Sequence, residues 1–169
     1  MYKRQVHDVA LNLEARKPVV LPDDLAAKFA VRTGDVFVSR SNTKELVGLS
    51  SVASCNSHDR LIFPDLLIRL EADMAQVIPR YLAYALRTPS SRRQIKDRAF
   101  GSSQSMVKIS GARLKEVEVS VPPISEQERL VDQFDRLHNL TSKLEVEMDA
   151  PEIRHLKSSV LNKALAGEL

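Results

Sequence analysis

Leu130, Phe134, Leu137, Thr141, Leu144 and Met148 recur at 4-3-4-3-4 spacing. That is the a/d period of a coiled-coil seam, and it constrains the chain more than any other feature. Ser125 and Glu128 stand before it in the S-x-x-E pattern of a helix capping box. Pro151 interrupts the stripe, which resumes in shifted register with Ile153, Leu156, Val160, Leu161 and Leu165. Gly167 is suited to a C-terminal cap. An unbroken helix over 125–166 would be about 60 Å long at about 1.5 Å per residue. The preceding body is too small to cover such a stripe, so the spacing predicts a partner helix from another molecule. A helical hairpin broken at Pro151 is the competing arrangement.

The part before the helix has a different character. Residues 1–125 carry 19 basic and 13 acidic side chains, whereas residues 126–169 carry 6 and 9. A basic body points to a polyanion partner; a mildly basic soluble protein is the plainer reading. The sequence predicts a division into a body over 1–123 and a helical arm over 124–169. Within the body, PDDLAAKFA reads as a short helix, DVFVS (35–39) and LVGLSSVA (46–53) as hairpinned strands, and DLLIRLEA as a buried strand with Pro64 at its edge. Pro79 opens a helix that Pro89 stops, and a second helix follows with Ser90 or Ser91 as its cap. VEVSV (117–121) alternates like a strand. The fold class expected is α/β (α+β), a mixed sheet with helices, followed by a long coiled-coil arm.

Catalytic equipment is missing from the pattern. There is no G-x-S-x-G, no phosphate-binding glycine loop and no H-E-x-x-H. Cys55 and His58 make one C-x-x-H without the second pair a zinc site needs. The single cysteine fits a reducing cytoplasm, the start of the chain has no secretory pattern, and no apolar run reaches the length of about 18 residues that a membrane span requires. The expectation is a cytoplasmic binding protein, with no metal and no catalytic residue.

Arg87, Arg92, Arg93, Lys96 and Arg98 stand against one acid, Asp97, within twelve residues. Arg92, Arg93, Lys96 and Arg98 are therefore candidates for phosphate contact, which supplies affinity without sequence information. The polar loop Gly101–Ser105 follows, and a second polar loop, Arg40–Lys44, joins the first two strands. Arg can read guanine, Asn and Gln can read adenine, and Ser serves either base edge. Arg40, Asn42, Lys44, Ser102, Ser103, Gln104 and Lys108 are the candidate base-reading set. Each loop alone reads as an ordinary turn, and nothing in the sequence brings the two together.

Four stretches in order carry a resemblance: TGDVFVSRSNTKELVGLSSVA, YLAYALRTPSSRRQI, GSSQSMVKISGARLKEVEVSVPPISEQERLV and LKSSVLNKALAGEL. Together they span roughly 33–169 and resemble one half of a type I restriction-modification specificity subunit. VPPISEQERLV and LNKALAGEL are the most specific pieces. The resemblance implies a target-recognition domain for double-stranded DNA followed by a spacer helix. A full subunit has two such units, whose helices pack antiparallel. It implies docking to methyltransferase subunits, joined by restriction subunits, which use S-adenosylmethionine, ATP and magnesium; the chain itself would hold no cofactor. With one domain and one arm present, two copies are expected to pair through Leu130, Phe134, Leu137, Leu144, Met148, Leu156 and Val160. A regulatory half-subunit pairing with a full-length one, and a coiled-coil interaction protein with an incidental basic patch, are the alternatives.

Overall fold

The computed structural model describes residues 8–14, 17–55, 60–103 and 106–147, with backbone alone at 102–103 and 141–147. The chain divides into two compact units, Met1–Ser120 and Val121–Leu169.

The first unit is built on two small antiparallel sheets. Strand β1 (Val36–Ser39) is central in one, between β3 (Ser50–Val52) and β4 (Leu67–Leu70). Its residues are all buried, as the β-branched VFVS run requires of a strand covered on both faces. Val38 faces a cluster with Val47, Leu86, Ile95, Val107, Ile109 and Leu114. Phe37 faces the other side with Val31, Ala53 and Leu67, and its ring meets Phe63 at 5.0 Å between centroids. The second sheet has the order β2 (Ser41–Asn42), β6 (Met106–Lys108), β5 (Phe100–Ser103).

Arg40 joins the sheets. Its N–H donates to the Leu66 carbonyl at 2.8 Å, beside the first sheet, and its carbonyl accepts from the Ile109 N–H at 2.9 Å, beside the second. One extended run therefore serves two sheets in succession. This differs from the single mixed sheet expected: both sheets are antiparallel, and the parallel pairing among the described residues is an isolated bridge, Ala10 to Val52.

Helices cover the sheets. α1 (Asp23–Lys28) is the short segment with an acidic first turn. α2 (Pro79–Ala85) opens on its proline and buries Tyr81, Ala83, Tyr84 and Ala85. The buried Ser50 hydroxyl donates to the Ala83 carbonyl at 2.7 Å, joining α2 to β3. α3 (Pro89–Arg98) starts at Pro89, and its cap is Thr88, whose hydroxyl accepts from the Ser91 N–H; Ser90 and Ser91 already lie inside the helix. Pro89 thus opens a helix as well as closing the one before it, as a residue without an amide proton can.

Two expected strands are altered. The 46–53 strand shortens to Ser50–Val52 because Thr43–Gly48 forms a turn, with the Leu46 and Val47 amides both donating to the Thr43 carbonyl. The 117–121 segment has no ladder partner. The Gln94 side chain holds it instead, donating to the Glu118 carbonyl and accepting from its N–H, both at 3.0 Å. Its alternation survives as packing: Val117 and Val119 lie against the core.

α4 (Gly111–Leu114) closes the first unit, and α5 (Ile124–Glu147) belongs to the second. α5 begins one residue before Ser125, so Ser125 sits inside the first turn and does not cap it. The Gln127 side chain turns back there to the Pro122 carbonyl at 2.7 Å. Glu126 and Arg129 pair one turn apart at 2.6 Å. Along the stripe, Phe134 is fully buried and Leu130 and Leu137 are half-buried; Leu140, outside the stripe, is 59% exposed. The side chain of Leu144, and Met148, Leu156, Val160 and the Pro151 junction, lie outside the described residues.

Candidate nucleic-acid interface

Each polar loop of the sequence contributes residues to a strand of one sheet. Ser41–Asn42 pairs with β6 on one side, and Phe100–Ser103 pairs with it on the other. Segments some sixty positions apart in sequence are thereby brought within two strand spacings of each other, about 10 Å.

Direct partners in a ladder share a face. Ser41, Lys108 and Phe100 form such a row across the three strands. Met106, two residues before Lys108, lies on the same face. Met106 and Lys108 are exposed, and Val107 between them is buried. The opposite face carries Val107 with Asn42, its ladder partner.

Asn42 therefore does not stand where a base-reading side chain is needed. It is 7% exposed, and its side-chain carbonyl accepts from the Thr43 N–H at 2.9 Å. It shapes the turn that presents Lys44, which is exposed. Arg40 is also exposed, with a long contact of 3.4 Å from its guanidinium to the Asp65 carbonyl. The backbone of Ser102 and Ser103 lies in β5; Gln104, the next residue in sequence, is outside the described residues.

Gly101 allows the bulge between Phe100 and Ser103. A Cβ there would approach the Met106 carbonyl oxygen to 2.7 Å, too near for any other residue without a shift of backbone.

The basic helix is less open than its charge suggests. Lys96 pairs with the Glu45 carboxylate, and Arg92 donates to the Glu45 backbone carbonyl at 3.0 Å. Burial lowers the Arg92 guanidinium below its ordinary pKa, with Glu45 opposing that shift. The Lys96 hydrogen bond, then its charge, hold the Glu45 carboxyl below the usual carboxylate range. Arg98 lies 3.4 Å from Glu116 and donates to the Gln94 carbonyl. Three of the four expected phosphate ligands thus brace α3 against neighbouring segments. Arg93 is exposed and makes no hydrogen bond or ion pair with the described residues.

Arg87 is further inside. Its guanidinium donates to the Ser50 carbonyl from Nε at 2.9 Å and to the Asp8 carbonyl from Nη2 at 2.7 Å. Burial lowers its pKa to about 10. It fastens the segment around Val9 to β3.

The sequence reading missed two side chains on this surface. Phe100 is 46% exposed, and the Arg113 guanidinium lies 4.7 Å from its ring centroid. Arg113 also donates to the Arg98 carbonyl at 2.9 Å. The signal available was the alternation of Met106, Val107 and Lys108, too short to stand out as a strand. Among the described residues no group of three His, Cys, Asp or Glu could hold a metal ion, and no helix is long and apolar enough to cross a membrane.

The family model of the type I restriction modification DNA specificity domain matches residues 27–149. That interval takes in both sheets, α2 to α4 and all of α5. The chain belongs to this family. The specificity domain is 28% identical over 142 residues to the type I restriction enzyme EcoKI specificity subunit of Escherichia coli K12, covering 82% of this chain and 30% of the relative. It is 24% identical over 144 residues to the StySPI specificity subunit of Salmonella potsdam, covering 84% and 31%. Among solved structures, the S subunit of a type I restriction-modification system from M. genitalium aligns with a TM-score of 0.49 and 23% identity, over 71% of this chain and 31% of that one. The specificity domain thus spans about a third of the length of these relatives.

Proposed function

We propose that this chain reads one half of a bipartite DNA site as a non-catalytic specificity subunit of a type I restriction-modification system. The observation that carries the reading is the convergence of the two polar segments on the β2–β6–β5 sheet. Nothing acidic lies on those three strands, and exposed Lys108 stands at the centre of the face, with Arg40 and Lys44 flanking β2. A duplex carries phosphates at close spacing, so such a face attracts it. Arg93 adds a phosphate contact from α3. Ser102 and Ser103 of β5, and Gln104 that follows them in sequence, are the further base-reading candidates.

The helical arm supplies the second half of the function. Leu130 and Leu137 of the apolar stripe are only half-buried on α5, and the period continues in the sequence with Leu144 and Met148. Two copies pair along this stripe, set two recognition domains apart by a fixed distance and read a split palindrome, since two-fold protein symmetry is mirrored in the site. The assembly docks methyltransferase subunits, which carry S-adenosylmethionine, and restriction subunits, which use ATP and magnesium.

Selection of the full chain on randomised duplexes, followed by binding at several salt concentrations, tests the reading. An enriched split site that outcompetes unrelated duplexes supports it. Equal affinity for all duplexes at every salt concentration removes it. Light scattering tests the pairing: a strict monomer at high concentration counts against the two-copy arrangement.

A further inference from the structure

An exposed phenylalanine and an exposed methionine on a cationic sheet face call for a partner with an apolar feature among negative charges. Phe100 is 46% exposed and Met106 56% exposed, on two strands that pair with each other. Lys108 is the ladder partner of Phe100 and, two residues from Met106, completes the patch. The Phe100 ring is not a loose side chain. Arg113 sits 4.7 Å from its centroid and is itself tied to the Arg98 carbonyl at 2.9 Å. A guanidinium over a ring face restrains the ring while adding positive charge beside it.

The shape of the element narrows the partner. β6 is the middle strand of the β2–β6–β5 sheet, but β2 pairs with it only at Val107 and Lys108. β5 and β6 therefore continue past β2 as a two-stranded hairpin at the Ser103–Met106 pair, a width the major groove of B-DNA admits. Within that groove the one apolar group on a base edge is the C5 methyl of thymine. Resting on the DNA-reading function proposed above, we propose that Phe100 and Met106 contact the thymine C5 methyl in the major groove, with Lys108 and Arg113 turned to the flanking phosphates. This gives the recognition surface an apolar component beside its hydrogen-bonding one. Charge complementarity selects duplex DNA over another protein as the occupant: the strands of the ribbon carry a lysine and no acid.

The test replaces each thymine of a selected duplex, one at a time, by deoxyuridine, which removes the methyl and leaves every hydrogen-bonding group. With the full unmodified chain, one or two positions should lose about fourfold in affinity, the effect of one buried methyl group. Phe100→Ala should weaken binding to the thymine duplex and abolish the difference between thymine and deoxyuridine at one of those positions. Circular dichroism and thermal unfolding establish that the variant is folded; the deoxyuridine scan on the unmodified chain stands without it. A scan in which no position responds, while the selected duplex still binds specifically, overturns the methyl contact and leaves the DNA-reading function intact. A Phe100→Ala effect on the oligomeric state without any change in thymine discrimination assigns the face to a protein contact and also overturns it. Failure to select any duplex overturns the DNA-reading function itself, and this inference with it.

Discussion

A Cβ placed on Gly48 would lie 2.2 Å from Cγ2 of Ile95. Gly48 ends the Thr43–Gly48 turn with φ +72, and Ile95 is the fully buried residue at the centre of α3. The turn that follows β2 and the basic helix therefore pack without room for a methyl group, and the left-handed backbone excludes other residues a second time.

Gly48→Ala should accordingly destabilise the first unit by about 3 kcal/mol, from the backbone cost and the overpacking together. Denaturant unfolding measures it. A change within about 0.5 kcal/mol, the range of an ordinary surface substitution, would show that the turn can retreat from α3.

Neighbouring arginines on α3 should behave differently. Arg93 is exposed, so Arg93→Ala should leave the melting temperature unchanged and reduce the salt slope of DNA binding by about 1. Arg92 bonds the Glu45 carbonyl and is partly buried, so Arg92→Ala should lower the melting temperature. Paired thermal melts and salt titrations separate the two; identical behaviour contradicts this division of roles.

Arg87 joins the Asp8 and Ser50 carbonyls by donating to both. Arg87→Ala should cost about 2–3 kcal/mol, because the buried Ser50 carbonyl loses its charged donor and the exposed Asp8 carbonyl loses another. It should also speed hydrogen exchange at the Val52 amide, which bonds the Val9 carbonyl, and at the Leu11 amide. Exchange confined to its original rates would place the anchoring of this segment elsewhere.

Glu45 makes the Lys96 contact pH-dependent. Its folded-state pKa lies below the usual range, so the contact stabilises fully above the unfolded carboxylate value, about 4.3, and fades as pH falls through the lower folded value. The stability difference between the natural chain and Glu45→Gln should be constant from about pH 6 to 8 and shrink below about pH 4.3. A difference that grows on acidification has the wrong sign for this pairing.

The sequence was most legible where one signal acted alone. VFVS reads as a strand because Val36, Phe37 and Val38 all favour it, and the proline at 79 marks a helix start by its missing donor. The second sheet was illegible for a physical reason. β2 and β6 are two and three residues long, and β2 and β5 are rich in Ser, Asn and Gly, which favour turns; only the three-way pairing makes them strands. Charge counting likewise proposed α3 as an open cationic face. It could not show that Glu45 and Glu116, distant in sequence, fold against Lys96 and Arg98. Phe100 went unnoticed because its meaning depends on Lys108 and Arg113 beside it.

Hydrogen-exchange footprinting of the full chain with its selected duplex tests most directly whether the second sheet faces DNA. Slowed exchange in 40–44 and 100–109, with α1 and α2 unchanged, is the predicted result. Specific binding accompanied by protection elsewhere in the first unit, with both of those segments unaffected, would contradict it.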